Sequence, residues 1–227
     1  MDRKTSSVTV FTALFDLNRN EIDGRGMDIY RSWLSKTIEL FPGIVIFHDG
    51  SLNQNNIEFF DAKLIRLNKE DLEFFKLENS IKELFKKFIP QAKNDITFQL
   101  PQYSLMQFSK FSLAKYAKQI SNSDGYLWVD AGISRFIKKI DPDTLKQNST
   151  YVASQNYNAA FELDLRHNLS ITKGLVQAPI GSCKRIFSGT SFWINNAFTD
   201  QLNDLMLNTV QEWISEGIWD NEQVALR

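Results

Sequence analysis

The stretch "GYLWVDAGISRF", residues 125–136, contains the feature that decides the fold. Four apolar side chains at residues 126–129 lead straight into one charged residue, Asp130, which an Ala-Gly pair follows. A short, continuous apolar run is typical of a strand that is buried on both faces of a sheet. An amphipathic pattern over residues 103–121 comes just before it and predicts a helix. A helix that feeds directly into a buried strand is characteristic of parallel sheets.

The same alternation of strands and helices runs along most of the chain. The strands predicted from apolar and β-branched runs cover residues 7–15, 43–50, 62–68, 126–130, 149–156 and, as a strand or a hairpin broken at Gly189, 184–195. The predicted helices cover residues 27–41, 72–90, 103–121 and 197–217, residues 18–26 are predicted to be a loop, and residues 157–185 are poorly patterned. These segments predict an α/β fold with a mainly parallel, mixed-edge sheet flanked by helices on both faces. We expect one domain over residues 1–227 and a natural chain that continues past Arg227.

Composition and charge argue against several classes of protein. The chain has 227 residues, 43% of them hydrophobic, which is enough to bury a large core. Its formal net charge of −1 gives no overall attraction to nucleic acid or to anionic lipid. Cys183 is the one cysteine, which excludes an internal disulfide framework, and the first residues lack the apolar run of a signal peptide or membrane span. We therefore expect a cytoplasmic protein.

Several common catalytic and cofactor motifs are missing from the sequence. No G-x-G-x-x-G follows the first strand, no GxxxxGK[ST] occurs, and "FSGTSF" does not match the G-x-S-x-G of serine hydrolases. His48 and His167 have no Cys or His neighbour at the spacing of zinc ligands. Cys183 and His167 form a conceivable nucleophile pair, but a lone buried or incidental cysteine is the more frequent case.

Acidic residues follow three of the predicted strands: Asp16, Asp49 and Asp130. In parallel sheets ligands bind beyond the carboxyl ends of the strands, so each of these acids could lie at a ligand-bearing edge. A divalent cation such as Mg²⁺ is held by one or two carboxylates together with substrate phosphates. The small residues Ala131 and Gly132 after Asp130 would let a diphosphate approach the backbone. The alternative, a turn Asp followed by a turn Gly, fits the spacing equally well.

The helix at residues 74–89 has an apolar stripe and four lysines, at positions 76, 82, 86 and 87. A phenylalanine-rich helix with a basic edge can lie on a membrane surface. Its mixed charges and its place between strands favour the alternative, a helix that faces the core. A peripheral contact with the inner membrane remains as the second interpretation.

Seven segments occur in an order that resembles a known family. They read "VTVFTALFD", "YRSWL", "PGIVIFHDG", "QFSKFSLAKYA", "YLWVDAGISRF", "IFSGTSFW" and "WDNEQVAL", and they extend from about residue 8 to the end of the chain. The order resembles the HtrL/YibB-like (WlaTC-type) family of bacterial glycosyltransferases, which are associated with surface polysaccharides such as lipopolysaccharide and capsule. That family in turn resembles nucleotide-sugar glycosyltransferases of the GT-A fold, in which an Asp-x-Asp motif binds a divalent cation that bridges the donor diphosphate.

The resemblance implies a set of binding and catalytic residues. Asp130 corresponds to the surviving acid of Asp-x-Asp, and it is implied to bind both the donor and the metal. Lys110, at the edge of the apolar stripe of its helix, is implied to face the donor phosphate or sugar. The remaining donor-binding residues are Thr12, Ala13, Phe15, Asp49, Ala131, Gly132, Ser188 and Gly189. The "WDNEQ" segment implies Asp220 and Glu222, with Gln223, on the acceptor side or in catalysis.

Gly132 departs from the pattern of the family, because it stands where the second carboxylate of Asp-x-Asp is expected. Either Asp130, phosphates and waters hold Mn²⁺ or Mg²⁺, or basic residues take the place of the ion. The basic residues available for that role are Arg135, Lys138, Lys139, Lys184 and Arg185.

The leading functional prediction is a glycosyltransferase. It would move a sugar from a nucleotide diphosphate-sugar, with uridine as the expected nucleoside, to a glycan or a lipid-linked acceptor. A non-catalytic nucleotide-sugar-binding or scaffold protein with the same fold is the alternative. A phosphotransferase or nucleotidyltransferase is a third option, and it would need a second acid near Asp130, such as Asp16 or Asp49. The sequence does not distinguish inversion from retention at the anomeric carbon.

Overall fold

The computed structural model describes residues 7–52, 62–88, 96–154, 157–163 and 187–226. Within these residues the strands are β1 (Val8–Leu14), β2 (Val45–His48), β3 (Lys63–Arg66), β4 (Gly125–Val129), β5 (Ala159–Leu163) and β6 (Phe187–Asn195). The α-helices are α1 (Asn20–Asp23), α2 (Met27–Leu40), α3 (Glu78–Phe88), α4 (Ile96–Gln99), α5 (Pro101–Ile120), α6 (Pro142–Ser154), α7 (Thr199–Glu216) and α8 (Glu222–Ala225). Short 3₁₀ segments lie at Lys69–Asp71, Glu73–Leu77, Ile133–Arg135 and Asn196–Phe198.

The strands of the described residues form one six-stranded sheet in the order β3-β2-β1-β4-β6-β5. The first four strands of that order are parallel to one another, and β6 runs antiparallel to both β4 and β5. The predicted α/β class, with a mainly parallel sheet and a mixed edge, is confirmed. Because parallel strands end at the same edge, Asp16, Asp49 and Asp130 all follow strands that end there.

A row of large side chains crosses the middle of the sheet. Val45, Phe11, Trp128, Phe192 and Phe161 are partners in register on five successive strands. The ring centroids are 5.5 Å apart for Phe11 and Trp128, and 5.8 Å apart for Phe161 and Phe192. Such aromatic pairs add roughly 0.5–1.5 kcal/mol each beyond the area they bury. The row therefore helps to fix the register of β2, β1 and β4, the strands that lead into Asp49, Asp16 and Asp130.

Helices cover both faces of the sheet, as predicted. The face that carries Phe11 and Trp128 packs against α3, α5 and α7 in one hydrophobic core. The opposite face packs against α2, whose Leu34 and Ile38 are buried in a second core. Near the start of α2, Ile29 is 40% exposed, although its apolar side chain has helical spacing with Trp33 and Thr37. The buried residues of α2 lie nearer its carboxyl end, over the sheet.

Other differences from the sequence prediction lie outside the buried strands. The predicted strand at residues 149–156 is wrong, because residues 142–154 form α6. Asp141 accepts hydrogen bonds from the backbone N–H groups of Asp143 and Thr144, both at 3.3 Å, and Pro142 is the first helical residue. The Asp carboxylate accepts from free N–H groups of the helix start, and the Pro at the next position has no N–H that needs a partner. Together they outweigh local β propensity.

The other differences concern the loops and the edge of the sheet. The predicted loop at residues 18–26 contains α1, and the unpatterned region contains β5. The break predicted at Gly189 is wrong, because β6 continues through it. The predicted helix at residues 72–90 begins as the 3₁₀ segment Glu73–Leu77 before α3.

The lysine-rich helix α3 faces the core. Ile81, Leu84 and Phe85 on its apolar side are buried, and Phe85 packs against Trp219 with 6.0 Å between ring centroids. The interpretation that α3 faces the core is confirmed for its apolar side. That side is therefore not available to a membrane surface. In the part of the chain that the structure describes, no helix is both long and apolar enough to span a membrane.

Candidate functional site

A cavity of about 460 Å³ opens at the carboxyl ends of β1 and β4. Its walls come from three parts of the chain: the strand ends themselves, the segment from the end of β1 to the start of α2, and one side of α5. This is the edge at which ligands bind in parallel sheets, and the volume suits a small organic ligand.

The cavity wall combines charge with aromatic rings. Its cations are Arg19, Arg25, Lys110 and Arg135, and its carboxylates are Asp16, Glu21, Asp28 and Asp130. Its rings are Phe15, Tyr30, Tyr103 and Trp128. Equal numbers of cations and carboxylates make the wall neutral in sum, so individual pairings decide which charges a ligand meets.

Asp130 sits in a turn that is fixed from two sides. Its backbone N–H donates to Thr190 O on β6 at 2.8 Å, and its Oδ1 accepts a hydrogen bond from Gly132 N–H at 2.8 Å. Thr37 of α2 donates its hydroxyl to Ala131 O at 2.9 Å. The side chain of Asp130 remains 32% exposed and lines the cavity. These contacts hold one carboxylate at the strand end in a defined orientation.

Arg135 lies directly over Gly132. Its Nε donates to Gly132 O at 3.0 Å, and its Cζ lies 4.3 Å from the centroid of the Trp33 ring. The guanidinium also lies 3.7 Å from Asp130 Oδ1, which is beyond hydrogen-bond distance but close enough for Coulombic attraction. Among the basic residues proposed from the sequence, Arg135 lines the cavity, Lys138 and Lys139 do not, and Lys184 and Arg185 lie outside the described residues.

Lys110 is bound to the C-terminal region of the described chain. Its Nζ donates to Glu222 Oε1 at 2.9 Å and to Gly189 O at 3.0 Å, and it lies 5.6 Å from the Trp128 ring centroid. The side chains of Lys110 and Glu222 are 4% and 5% exposed. Lys110 still lines the cavity. An ammonium has three N–H donors, so this geometry leaves one for a ligand.

Gly189 is the position that makes this pair compatible with β6. A Cβ atom there would lie 2.3 Å from Glu222 Oε1 and 3.1 Å from Lys110 Nζ. Both distances are shorter than ordinary van der Waals contact, and the first is impossible without movement. The absence of a side chain at Gly189 therefore lets the ion pair form against the strand.

Arg19 is a buried cation that the sequence analysis did not identify. Its NH2 group lies 2.6 Å from Asp23 Oδ2, and its Cζ lies 4.3 Å from the Tyr103 ring centroid. Burial alone would lower the pKa of Arg19, but the hydrogen bond to Asp23 and the electrostatic attraction of Tyr103, Tyr30 and Asp23 together outweigh it, so the pKa is raised and the guanidinium stays charged. Burial raises the pKa of Tyr103 to about 12, which keeps that phenol neutral. Arg19 with Tyr103 thus offers a flat, cationic wall.

The segment that carries Arg19 is held in place by strand-end acids. Asp49 Oδ2 accepts a hydrogen bond from Asp16 N–H at 2.9 Å, and Asp16 Oδ1 accepts one from Asn18 N–H at 2.9 Å. Asn18 has a φ of 54°, a left-handed conformation that Asn tolerates better than most residues. The sequence signal for this wall was a pair of arginines, Arg19 and Arg25, in the segment that follows the first strand. That segment was interpreted only as a loop.

The structure brings together part of the predicted set. Ala13, Phe15, Lys110, Asp130 and Ala131 line the cavity. The predicted residues that do not line it are Thr12, Asp49, Gly132, Ser188, Gly189, Asp220 and Glu222. Of these, Gly132 and Gly189 contact the lining side chains Arg135 and Lys110, and Asp49 holds the segment after β1.

The remaining predicted residues lie further from the cavity wall. Thr12 is fully buried, and the Ser188 hydroxyl lies 2.6 Å from that of Thr190. Asp220 is 1% exposed, and its Oδ1 accepts a hydrogen bond from Asn221 N–H at 2.8 Å. The catalytic role of Asp220 and Glu222 stays a prediction.

Histidine and cysteine give no further candidate within the described residues. His48 lies outside the cavity wall, its Nδ1 accepts a hydrogen bond from Gly50 N–H at 3.1 Å, and burial lowers the pKa of its ring. His167 and Cys183 lie outside the described residues. No group of three or more His, Cys, Asp or Glu side chains in the described part of the chain could hold a metal ion.

No protein-family model matches the sequence, and no curated protein matches it. Solved structures with a similar fold include the following two. Core-mannan synthase A from Aspergillus fumigatus, in a form with Mn and GDP, is 11% identical with a TM-score of 0.42, over 70% of this chain and 42% of that chain. The CMP:2-keto-3-deoxy-manno-octonic acid synthetase complexed with CTP is 9% identical with a TM-score of 0.37, over 95% of this chain and 90% of that chain. The likeness is too distant to assign a ligand or a reaction.

Proposed function

We propose that this chain is a glycosyltransferase that takes a sugar from a nucleotide diphosphate-sugar and transfers it to a glycan or lipid-linked acceptor. The observation that carries the proposal is the cavity at the carboxyl ends of β1 and β4, where Asp130, Lys110 and Arg135 share a wall. The ordered motifs that resemble the HtrL/YibB-like family support the same reaction. Membership of that family, a uridine donor and a role in surface polysaccharide synthesis belong to this proposal.

The nucleoside would lie against the wall formed after β1. Phe15, Tyr30 and Tyr103 give it flat apolar surface, and the Arg19 guanidinium lies over Tyr103 with 4.3 Å between Cζ and the ring centroid. A planar base can stack on aromatic rings and on an arginine plane. The base would thus be held by stacking, on a surface whose arginine is already fixed by Asp23.

The diphosphate would lie at the strand ends, between Lys110 and Arg135. Lys110 has one N–H donor left after Glu222 and Gly189 are satisfied, and the side chain of Arg135 is 32% exposed. Positive charge at that place offsets the charge that develops on the leaving diphosphate as the sugar–oxygen bond breaks. In this proposal both cations therefore lie on the side of the transferred sugar that carries the leaving diphosphate.

Asp130 is the catalytic candidate that lines the cavity. Its carboxylate could accept the proton of the acceptor hydroxyl or stabilise positive charge on the sugar, two roles that a carboxylate can fill in glycosyl transfer. Glu222 acts through Lys110, which it contacts at 2.9 Å. Within this proposal Glu222 positions the cation, and Asp220 holds the turn that precedes α8.

The residues present do not build a metal site of their own. Asp130 supplies one carboxylate, and the described residues contain no group of three or more candidate ligands around it. Divalent cations in such sites take one or two carboxylates together with phosphate and water oxygens. No step of the proposed reaction is therefore assigned to a metal. Of the two acids that the nucleotidyltransferase alternative could use beside Asp130, Asp16 lines the cavity and Asp49 does not.

A non-catalytic nucleotide-sugar-binding protein is the second candidate, and one observation favours it. Asp220 and Glu222 are 1% and 4% exposed, so neither offers an open carboxylate to an acceptor. A binding protein would need the cavity and its cations but no base. The two candidates differ in turnover and share the binding step.

Titration calorimetry with uridine diphosphate, followed by an assay of its release from uridine diphosphate-sugars, separates these candidates. Binding with release supports the glycosyltransferase, binding without release on any sugar or acceptor supports the second candidate, and absence of binding contradicts both. Arg25→Met is the test variant, because Arg25 lines the cavity and its side chain is 48% exposed, so its loss should weaken binding and leave the fold intact. Lys118→Met on α5 is the control, because Lys118 pairs with Asp200 at 2.5 Å and does not line the cavity.

A further inference from the structure

We propose that Arg135 takes the place of a divalent cation, so that this site binds a diphosphate group without metal. The inference deepens the proposed function and rests on it for the identity of the ligand. Its own content is narrower: a fixed guanidinium at the end of β4 supplies the positive charge that the phosphates need.

The side chain of Arg135 fills the space that a side chain at position 132 would need. A Cβ atom at Gly132 would lie 2.8 Å from Arg135 Nε and 3.1 Å from Trp33 Cε3. A carboxylate-bearing side chain at position 132 is therefore incompatible with Arg135 where it now lies. The guanidinium of Arg135 therefore lies where a side chain two residues after Asp130 would be, and the missing side chain at Gly132 leaves room for it.

Arg135 is fixed without losing most of its hydrogen-bonding capacity. The guanidinium has five N–H donors, and within the described residues its one hydrogen bond comes from Nε, to Gly132 O at 3.0 Å. Its Cζ lies 4.3 Å from the ring centroid of Trp33 and 4.9 Å from that of Phe136. Stacking on rings restricts the plane of the group, so a ligand that accepts from its NH1 and NH2 atoms orders it at little further cost.

The helix α2 holds this arrangement from behind. Ser134 donates its hydroxyl to Trp33 O at 2.9 Å, and Thr37 donates its hydroxyl to Ala131 O at 2.9 Å. The turn that follows β4 is thus tied at two points to the helix that carries the Trp33 ring. One rigid turn consequently positions both Asp130 and Arg135.

The local charge balance also agrees with a metal-free site. A divalent cation on two carboxylates has formal charges that sum to zero, and a single carboxylate with a single guanidinium gives the same sum. Here the carboxylate is Asp130 and the guanidinium is Arg135, 3.7 Å apart. A planar guanidinium also matches phosphate oxygens in a bidentate geometry, which a lysine cannot do. Arg135 therefore meets both the charge and the geometry that a bridging ion would supply.

The test measures binding of inorganic pyrophosphate and of uridine diphosphate in chelator and in excess Mn²⁺. We expect wild-type affinity for both probes to change by less than about twofold between the two conditions. Arg135→Ala should bind pyrophosphate about tenfold or more weakly in either condition, because a charge-assisted hydrogen bond is lost. Arg135→Lys should recover part of that loss, and Lys138→Ala, an exposed cation outside the cavity, should bind as wild type.

The outcomes separate this inference from the proposed function. Tenfold tighter wild-type binding in Mn²⁺ overturns it without any variant, and so does wild-type affinity in a folded Arg135→Ala protein. Either result leaves the glycosyltransferase proposal standing if uridine diphosphate is released from a donor. Metal-independent pyrophosphate binding that is lost in Arg135→Ala supports it even when no sugar donor is turned over. Absence of pyrophosphate and nucleotide binding by the wild type contradicts both.

Discussion

Lys110 Nζ lies 2.9 Å from Glu222 Oε1, and the two side chains are 4% and 5% exposed. The pair joins the middle of α5 to the first residue of α8, and Gly189 O on β6 is its third member. A buried charge without a partner is very costly, so each of these groups requires the other. Lys110, which lines the cavity, and Glu222, the acid predicted for catalysis, are therefore one structural unit.

Replacing one member of this pair should destabilise the protein more than replacing both. We expect Lys110→Met and Glu222→Gln each to lower the free energy of unfolding by about 3–5 kcal/mol, because each leaves an uncompensated buried charge or donor. The double variant should lose much less than the sum. Urea denaturation of the four proteins gives the coupling energy.

The exposed pair Lys86–Glu83 is the matched control for that cycle. Its side chains are both 68% exposed, so the same cycle should give about 0–1 kcal/mol. Additive losses at Lys110 and Glu222 would show that the two groups do not depend on each other.

Gly189→Ala should disturb the same pair from the strand side. The new Cβ would lie 2.3 Å from Glu222 Oε1, so Glu222 must move and Lys110 loses its partner. We expect a loss of roughly 2–4 kcal/mol in thermal or chemical unfolding, together with weaker binding of uridine diphosphate. Gly26→Ala is the control, because its Cβ would meet nothing closer than 3.5 Å and its loss should not exceed about 1 kcal/mol. Equal losses in the two variants would contradict the steric argument.

The parallel strands of the sheet could be predicted from the sequence, for a definite physical reason. A parallel strand buried on both faces reads as a continuous apolar run, and the acids Asp16, Asp49 and Asp130 mark where three such runs end. The strand predicted at residues 149–156 failed because local β propensity was weighed without the helix-start signal of Asp141 and Pro142. The strand β5 was missed because its sequence, AAFEL, combines two alanines with a glutamate, residue types that are depleted in strands.

The site itself was less predictable than the sheet. The helical pattern placed Lys110 at the edge of an apolar stripe. In the structure its ammonium is instead enclosed by α8, β6 and β4, through Glu222, the Gly189 carbonyl and the Trp128 ring, and Lys110 is 3% exposed. Arg19 was missed because its position depends on a tertiary contact, the hydrogen bond from Asp16 N–H to Asp49. Tertiary contacts of this kind have no signature in the local sequence, so a single sequence does not reveal them.

Glu73 should give the protein an acid-sensitive part of its stability. Burial by itself would raise its pKa, but hydrogen bonds from Lys115 and Asn203 lower the pKa of the carboxyl below its usual range. Because the folded-state pKa is the lower one, the contribution is complete above the unfolded pKa and is lost as pH falls through the folded value. We expect Glu73→Gln to reduce stability by about 1 kcal/mol at neutral pH and to flatten the acid limb of the stability profile.

Thermal unfolding of wild type and Glu73→Gln between acid and neutral pH tests this expectation. Asp204→Asn is the control, because Asp204 Oδ1 lies 3.9 Å from Lys115 Nζ and its side chain is 66% exposed. The stability profiles of wild type and Glu73→Gln should differ at neutral pH and converge at low pH. The profile of Asp204→Asn should follow that of wild type throughout. Parallel profiles at all pH values would show that this carboxyl does not drive the acid limb.

Asp130→Asn should abolish most turnover while keeping the fold. The amide retains an Oδ1 atom that can accept the hydrogen bond from Gly132 N–H, so the turn from residue 130 to Gly132 should remain. It removes the negative charge that would take the acceptor proton or stabilise the sugar. We expect turnover of a uridine diphosphate-sugar to fall at least about a hundredfold, with stability changed by less than about 1 kcal/mol. Asp28→Asn makes the same change at a cavity-wall carboxylate that is 96% exposed, and it should keep near-normal turnover. Near-normal turnover in Asp130→Asn would remove Asp130 from the mechanism.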